Sequence, residues 1–227
     1  MVRAVQPRQL ALALPYRENL TRDDFLEGAS NTAALRLIEQ WPDWPVPIVM
    51  LIGPRGAGKS HLAAIWAEMA GARTVSAGRL TIAAVPVALA TGAVVVEDVA
   101  AGRFDEAALF HLVNLAREEG AFALLTARSA PAHWTIGLRD LASRLRAIAT
   151  IELAEPDDAL LKALIVKLST DRQLLLDEAT VNYLADRIER SCVAACEAVA
   201  RLDEASLRLH RPVTRALAAE IIGTSAP

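Results

Sequence analysis

Lysine is scarce in this chain: Lys59, Lys162 and Lys167 stand against 21 arginines. The bias reads as genome composition more than function. An excess of positive charge is missing too, the net being −3, so sequence-independent binding to nucleic acid is not favoured. Cysteine is limited to Cys192 and Cys196, too few for a zinc site and, four apart in a helical pattern, poorly disposed for a disulfide. They read as small buried residues in a reducing cytoplasm. The four histidines, 61, 111, 133 and 210, have no metal-like spacing. No export signal stands at the start: the apolar stretch 10–14 is too short and runs into Pro15. Nor is there a membrane span, because the most apolar region, 80–96, is broken by Pro86, Thr91 and Gly92. Internal repeats and low-complexity segments are absent. A cytoplasmic protein is expected.

What is present is enough for a sizeable core. The 227 residues, 53% hydrophobic, suit one ordinary domain or a core with a small appendage. Ala33, Ala34, Leu37 and Ile38 follow the cap-type residues Ser30 and Asn31 with helical spacing, and the Trp41–Pro47 stretch ends that helix. Beyond it, short apolar strands alternate with helices. Strands are expected at 48–52, 73–76, 93–96, 122–126 and 147–153, helices at 61–70, 106–118 and 138–145. That alternation implies an α/β fold, a parallel sheet sandwiched by helices. After Glu155-Pro156-Asp157 no strand candidate remains, and helices are expected near 157–169, 177–190, 192–209 and 214–222. The organisation expected is a tail over 1–15, a nucleotide-binding core over 16–155 and a small all-helical lid over 156–227.

The chemistry begins at Gly53-Pro54-Arg55-Gly56-Ala57-Gly58-Lys59-Ser60, the eight-position P-loop pattern, set between an expected strand and helix. Glycines let backbone N–H groups turn inward around phosphates, and the following helix adds its dipole. Lys59 reaches the β and γ oxygens, and Ser60 supplies a hydroxyl to Mg²⁺. Lys59 is the one lysine before position 162. A compact ammonium is needed inside the loop, and a planar guanidinium would not replace it. About 40 residues on, Ala93-Val-Val-Val96-Glu97-Asp98 has the form of a Walker B strand, apolar and ending in acids for metal and water. ADP or ATP with Mg²⁺ is the expected ligand. Because successive strand side chains face opposite ways, Glu97 and Asp98 are not expected to be interchangeable.

These motifs carry a resemblance. Phe25-Leu-Glu-Gly28-x-x-Asn31, Gly58-Lys59-Ser60-His61-Leu62, the Walker B strand and Asp140-Leu-Ala-Ser143-Arg144-Leu145 resemble the AAA+ module of the DnaA family of bacterial replication initiators. The likeness runs from about residue 16 to 223. Initiators of that family continue into a helix-turn-helix domain, and this chain stops before one, so sequence-specific DNA binding is not expected. It is most similar to the family's short regulatory inactivators, the Hda group. The resemblance implies a nucleotide cradle from Gly53 to His61, Mg²⁺ at Ser60 and Glu97, and Glu97 and Asp98 as the site's acids. It also implies Arg144 as an arginine finger for a neighbouring subunit's γ-phosphate. Gln9, Leu10, Leu12 and Leu14 match the group's binding peptide for the DNA polymerase sliding clamp (β subunit).

The implied activity is inactivation of a DnaA-type initiator by triggering hydrolysis of its bound ATP, with a homodimer left open. A surface ion pair at Arg144 and an edge strand over 9–14 are the plainer alternatives. Three residues depart from the initiators' pattern. Glu97 stands for a usual aspartate, Arg128 for a sensor aspartate, and Val193 for the lid's sensor arginine, with Arg190 one turn away as a stand-in. The chain's own ATP turnover is accordingly expected to be weak or absent. A self-sufficient ATPase of helicase-loader or remodeller type is the rival reading.

Overall fold

A computed structural model describes residues 20–223; the segment carrying Gln9, Leu10, Leu12 and Leu14 lies outside the described residues. Five strands form one parallel sheet: β1 (Ile48–Ile52), β2 (Arg73–Ser76), β3 (Ala93–Val99), β4 (Phe122–Ala127) and β5 (Ala149–Glu152), in the spatial order β2-β3-β4-β1-β5. β1 lies second from one edge and is buried along its whole length. Its continuous apolar run serves both faces. Ile48, Met50 and Ile52 join one core, while Val49 and Leu51 join the other.

The first core is closed by α3 (Val85–Leu89), α4 (Glu106–Glu118) and α5 (Arg139–Arg146), through Leu89, Leu109, Leu112, Leu141 and Leu145. The second is closed by α1 (Thr32–Glu39) and α2 (Lys59–Ala70), with Leu35, Ile38, Leu62 and Ile65. Trp66 is fully buried there, stacked on Trp44 at 5.0 Å with Trp41 edge-on at 6.5 Å. The Trp44 indole donates to the Leu37 carbonyl at 2.6 Å, which ties the end of α1 to this cluster. The short α3 was not expected, because Pro86 reads as a breaker. Pro86 sits in the helix's first turn, where a missing N–H costs nothing.

The expected fold is present, and the helical C-terminal part forms a core of its own. α6 (Asp158–Asp171), α7 (Glu178–Ala185), α8 (Cys192–Leu209) and α9 (Arg215–Gly223) enclose Leu161, Ile165, Leu184, Val199 and Leu202. Side chains cap three of these helices: Asp157 accepts from the Leu160 amide, Asp177 from Thr180 and Ser191 from Ala194. α7 stops at Ala185, short of the expected 190, because Ser191 must be extended (φ −146°, ψ 150°) to cap α8. No helix among the described residues is long and apolar enough to cross a membrane.

One side chain organises the turn that leads into α1. Asn31 occupies the N-cap position but does not cap α1. Instead its Oδ1 accepts from the Gly28 amide and its Nδ2 donates to the Leu26 carbonyl, both at 2.9 Å. Asn31 is 5% exposed, so water cannot replace it at these groups. Gly28 packs against Leu160 of α6, where a Cβ would lie 2.9 Å from the leucine's Cδ2 methyl and make that side chain shift. Asn31→Ala is expected to lower stability by about 1–3 kcal/mol, the cost of leaving buried partners unpaired. A fall in the urea midpoint at unchanged slope checks it.

Candidate functional site

The C-terminal ends of β1, β3 and β4 meet under the lid. At the end of β1 the chain must turn at Gly53 (φ 151°), where a Cβ would lie 2.3 Å from the Leu153 carbonyl after β5. The Gly53 amide donates to the carbonyl of Ala127, the last residue of β4, at 3.2 Å. Two further glycines, Gly56 (φ 77°) and Gly58 (φ 98°), take left-handed conformations that complete the loop. Gly58 is the N-cap of α2 and offers no side chain to cap it. The first-turn amides and positive dipole end of α2 are therefore left to a ligand, and an anion suits them. Lys59 is 9% exposed, and its ammonium donates to the carbonyls of Gly53 (2.8 Å) and Pro54 (2.7 Å). Burial pushes its pKa below the ordinary lysine value, opposed by the Asp98 carboxylate and assisted by the Arg128 charge.

A cleft of about 400 Å³ opens over this loop, a size that suits a small-molecule ligand. Arg55, Gly56, Ala57, Gly58, Lys59, Ser60 and His61 line it. Gly53 and Pro54 lie behind it as acceptors for Lys59. His61 holds the preceding segment against α2: its Nε2 lies 2.8 Å from the Thr21 carbonyl, and Phe25 packs edge-on at 5.1 Å. Leu160, Leu164 and Leu168 of α6 supply an apolar wall from the lid. Loop, uncapped helix and apolar wall fit a nucleotide, phosphates on the loop.

The two Walker B acids are placed differently. β3 pairs Val96 with Leu125 and Val99 with Ala127, so it carries one extra residue against β4. Val96 and Val99 both enter the same core, which strict alternation would forbid. The bulge falls on Glu97 and Asp98, and Asp98 takes φ +56°, a conformation that aspartate tolerates better than most residues. Its amide donates to the Thr126 hydroxyl at 3.1 Å. Of the pair, Asp98 lines the cleft with Lys59 and Ser60, and Glu97 does not. The oxygen donors that would hold Mg²⁺, which neutralises phosphate charge, are thus Ser60 and Asp98. No cluster of three or more metal-binding side chains occurs among the described residues.

The lid reaches the loop directly. The Cys192 amide donates to the Gly56 carbonyl at 2.9 Å, and a Cβ on Gly56 would lie 2.7 Å from Ser191. Cys192, Val193 and Cys196 of α8 line the cleft, so the cysteines that read as core face the site. Arg190, the expected stand-in for a sensor arginine, lies outside the cleft lining and pairs with Asp158 at 2.7 Å, both side chains exposed. At the other end of the cleft, Lys167 of α6 donates to Asp24 before α1 and to Asp171, both at 2.7 Å. This bridge between core and lid escaped sequence reading. Only the rarity of lysine could have marked Lys167.

Arg144 lies apart. It is half-buried on α5, outside the cleft lining, with its guanidinium 5.3 Å from the centre of the Phe110 ring of α4. The start of α5 is fixed by Glu106, whose carboxylate accepts from the amides of Gly137 (3.0 Å) and Leu138 (2.7 Å).

Comparison with known proteins agrees with this architecture. Residues 157–222 match the family model described as Hda, lid domain. Domain III of the replication initiation protein DnaA from Thermotoga maritima superposes with a TM-score of 0.78 at 17% identity, over 93% of this chain and 98% of that one. The Thermotoga maritima RuvB Holliday junction branch migration motor gives 0.75 at 16%, over 91% and 72%. The replication initiator DnaA bound to AMPPCP and single-stranded DNA gives 0.66 at 18%, over 84% and 68%. At these identities the likeness is one of fold, the P-loop AAA+ fold. No curated protein matches this chain in sequence.

The Asp24–Lys167 bridge has a pH signature. Hydrogen bonds from Lys167 and then Thr21 hold the Asp24 carboxyl below the ordinary carboxylate value, against the opposing effect of burial. A depressed carboxylate stabilises the fold above its unfolded pKa, about 3.9, and loses that contribution as pH falls through its folded value. Burial works against the Lys167 charge, but Asp171 and Asp24 outweigh it and raise its pKa. Its contribution is present below about pH 10.4 and is lost as pH rises through the folded value. Asp24→Asn is expected to cost about 1 kcal/mol at pH 7. Denaturation curves for variant and wild type should converge below about pH 4.

Proposed function

With a lid domain of the Hda family set on an AAA+ core of the DnaA domain III fold, we propose that this chain is a nucleotide-bound regulator of replication initiation acting on a DnaA-type initiator. It is tethered to the DNA polymerase sliding clamp through Gln9, Leu10, Leu12 and Leu14. From there it presents Arg144 to ATP held by the initiator, and hydrolysis of that ATP inactivates the initiator. The observation that carries this reading is the placement of Arg144. Its guanidinium is stacked on Phe110 and lies outside the chain's own cleft, while Glu106 fixes the helix that bears it. An arginine so held is pre-organised for a planar bidentate contact with a phosphate supplied from outside. The P-loop supports a resident ADP or ATP with Mg²⁺.

One observation favours a second reading, a self-sufficient ATPase: Asp98 and Ser60 both face the cleft beside Lys59. Turnover by the isolated protein, lost in Asp98→Asn, would support it.

Hydrolysis of initiator-bound ATP, with and without this protein and DNA-loaded clamp, separates the two. Arginine fingers contribute on the order of 10³–10⁵ in rate. Arg144→Ala is therefore expected to abolish the stimulation while thermal unfolding and nucleotide affinity stay at wild-type values. Arg144→Lys should recover little, since a flexible point charge lacks the planar fork. Stimulation that survives in both variants overturns the in-trans role. Alanine at Gln9, Leu10 and Leu12 together should remove capture by immobilised clamp without changing the melting temperature, because a few anchors carry most short-motif affinity. A triple variant that unfolds would assign the segment to the core instead.

A further inference from the structure

The proposed function leaves both cysteines unused, although they stand on the lid's side of the ligand. Cys192 and Cys196 are half-buried, hold no disulfide and line the cleft, four residues apart on one face of α8. Cys192 is the first residue of that helix, the end at which negative charge is favoured. Beside it the lid meets the phosphate loop without slack. The Cys192 amide donates to the Gly56 carbonyl at 2.9 Å, and a Cβ on Gly56 would lie 2.7 Å from Ser191 and 3.3 Å from the Val193 nitrogen. That junction has no room for a further group, so anything attached to the Cys192 sulfur extends into the cleft. There it meets a region suited to an anion. α2 begins uncapped, and Arg55, Lys59 and Arg128 line the cleft with the carboxylate of Asp98, while Asp24 and Asp171 are held by Lys167.

We infer that Cys192 is a modification site for a small anionic disulfide of the glutathione class, and that the adduct and a nucleotide exclude each other. The exclusion rests on the nucleotide-binding reading above. The Cys192 thiol gives up its proton, and its sulfur attacks one sulfur of the disulfide. A new S–S bond joins Cys192 to one glutathione, the S–S bond of the reagent breaks, and the other glutathione leaves as a thiolate that takes up the released proton. Cys192 is oxidised to a mixed disulfide, and the departing half is reduced to a thiol. The attached tripeptide carries carboxylates, which the open amides of α2 accept in place of phosphates. A cleft of about 400 Å³ does not hold this group and a nucleotide together. Cys196 does not release the adduct by exchange, because two cysteines four apart in an intact helix are poorly disposed for a disulfide. Release needs an external thiol.

The test treats the full-length protein with glutathione disulfide, and in parallel with the cationic disulfide cystamine, and follows intact mass. One glutathionyl group should add to wild type and to Cys196→Ser, and none to Cys192→Ser. Saturating ADP should slow the addition by about tenfold or more, since only the empty fraction reacts. Glutathione disulfide should outpace cystamine by about threefold or more at low salt, each rate taken relative to that with the urea-unfolded chain. The adduct should weaken ADP binding by about tenfold or more with circular dichroism unchanged, and dithiothreitol should restore it. Addition to Cys192→Ser at the wild-type rate, no preference between the two disulfides, or ADP affinity that survives the adduct overturns the assignment. Should Cys192→Ser melt early, peptide mass analysis of treated wild type locates the modified cysteine instead. Protein that binds no ADP before treatment defeats the nucleotide reading alone; the site of addition and the charge preference then decide for or against Cys192 by themselves.

Discussion

The approach of the Leu153 carbonyl to Gly53 constrains everything around the site. Three strands end on that one residue: β1 runs into it, β4 accepts its amide through Ala127, and β5 leaves a carbonyl where any Cβ would stand. With the exit of β1 pinned from both sides, the loop has one course. That course buries the Lys59 ammonium against the carbonyls of Gly53 and Pro54 and brings the start of α2 over the cleft. The same junction sends the chain from β5 through Pro156, which also lines the cleft, into the lid. The phosphate loop and the connection to the lid therefore leave the sheet from the same close contact.

The lid's attachment has two unlike parts. At one end a backbone hydrogen bond joins Cys192 to Gly56, with Ser191 packed where a side chain on Gly56 would be. At the other, the charges of Asp24, Lys167 and Asp171 meet across the gap with side chains roughly three-quarters buried. Between them, Leu160 packs where Gly28 leaves room, and the leucines of α6 form the apolar wall. The first contact holds by shape and one hydrogen bond and ignores salt. The second depends on pH and ionic strength.

Much of this was legible in the sequence, and the reasons are local. The P-loop is a matter of residue type and spacing, and the buried alternation of β1 follows from an unbroken apolar run between turn signals. The long helices followed from their periodicity. What could not be read depends on pairing. The extra residue in β3 exists only relative to β4, so which acid faces the cleft had no signal in Ala93–Val99 taken alone. Asp24 and Lys167 are 143 positions apart, and the Phe110 ring under Arg144 belongs to a different helix. Asn31 shows the converse. Its type signalled a helix cap, and the folded chain spends the same hydrogen-bonding capacity backwards, on Gly28 and Leu26.

The bond between Cys192 and Gly56 gives the phosphate loop a second task. The carbonyl of Gly56, in the loop that lines the cleft, is the seat on which the first turn of α8 rests. A ligand that moved that carbonyl would bear directly on an 18-residue helix. A coupling of this kind runs in both directions: a molecule that biased the angle of α8 through its outer face would alter affinity in the cleft by the same factor that a ligand there altered its grip. The lid is in that sense a lever, with its fulcrum on a peptide of the loop that lines the cleft.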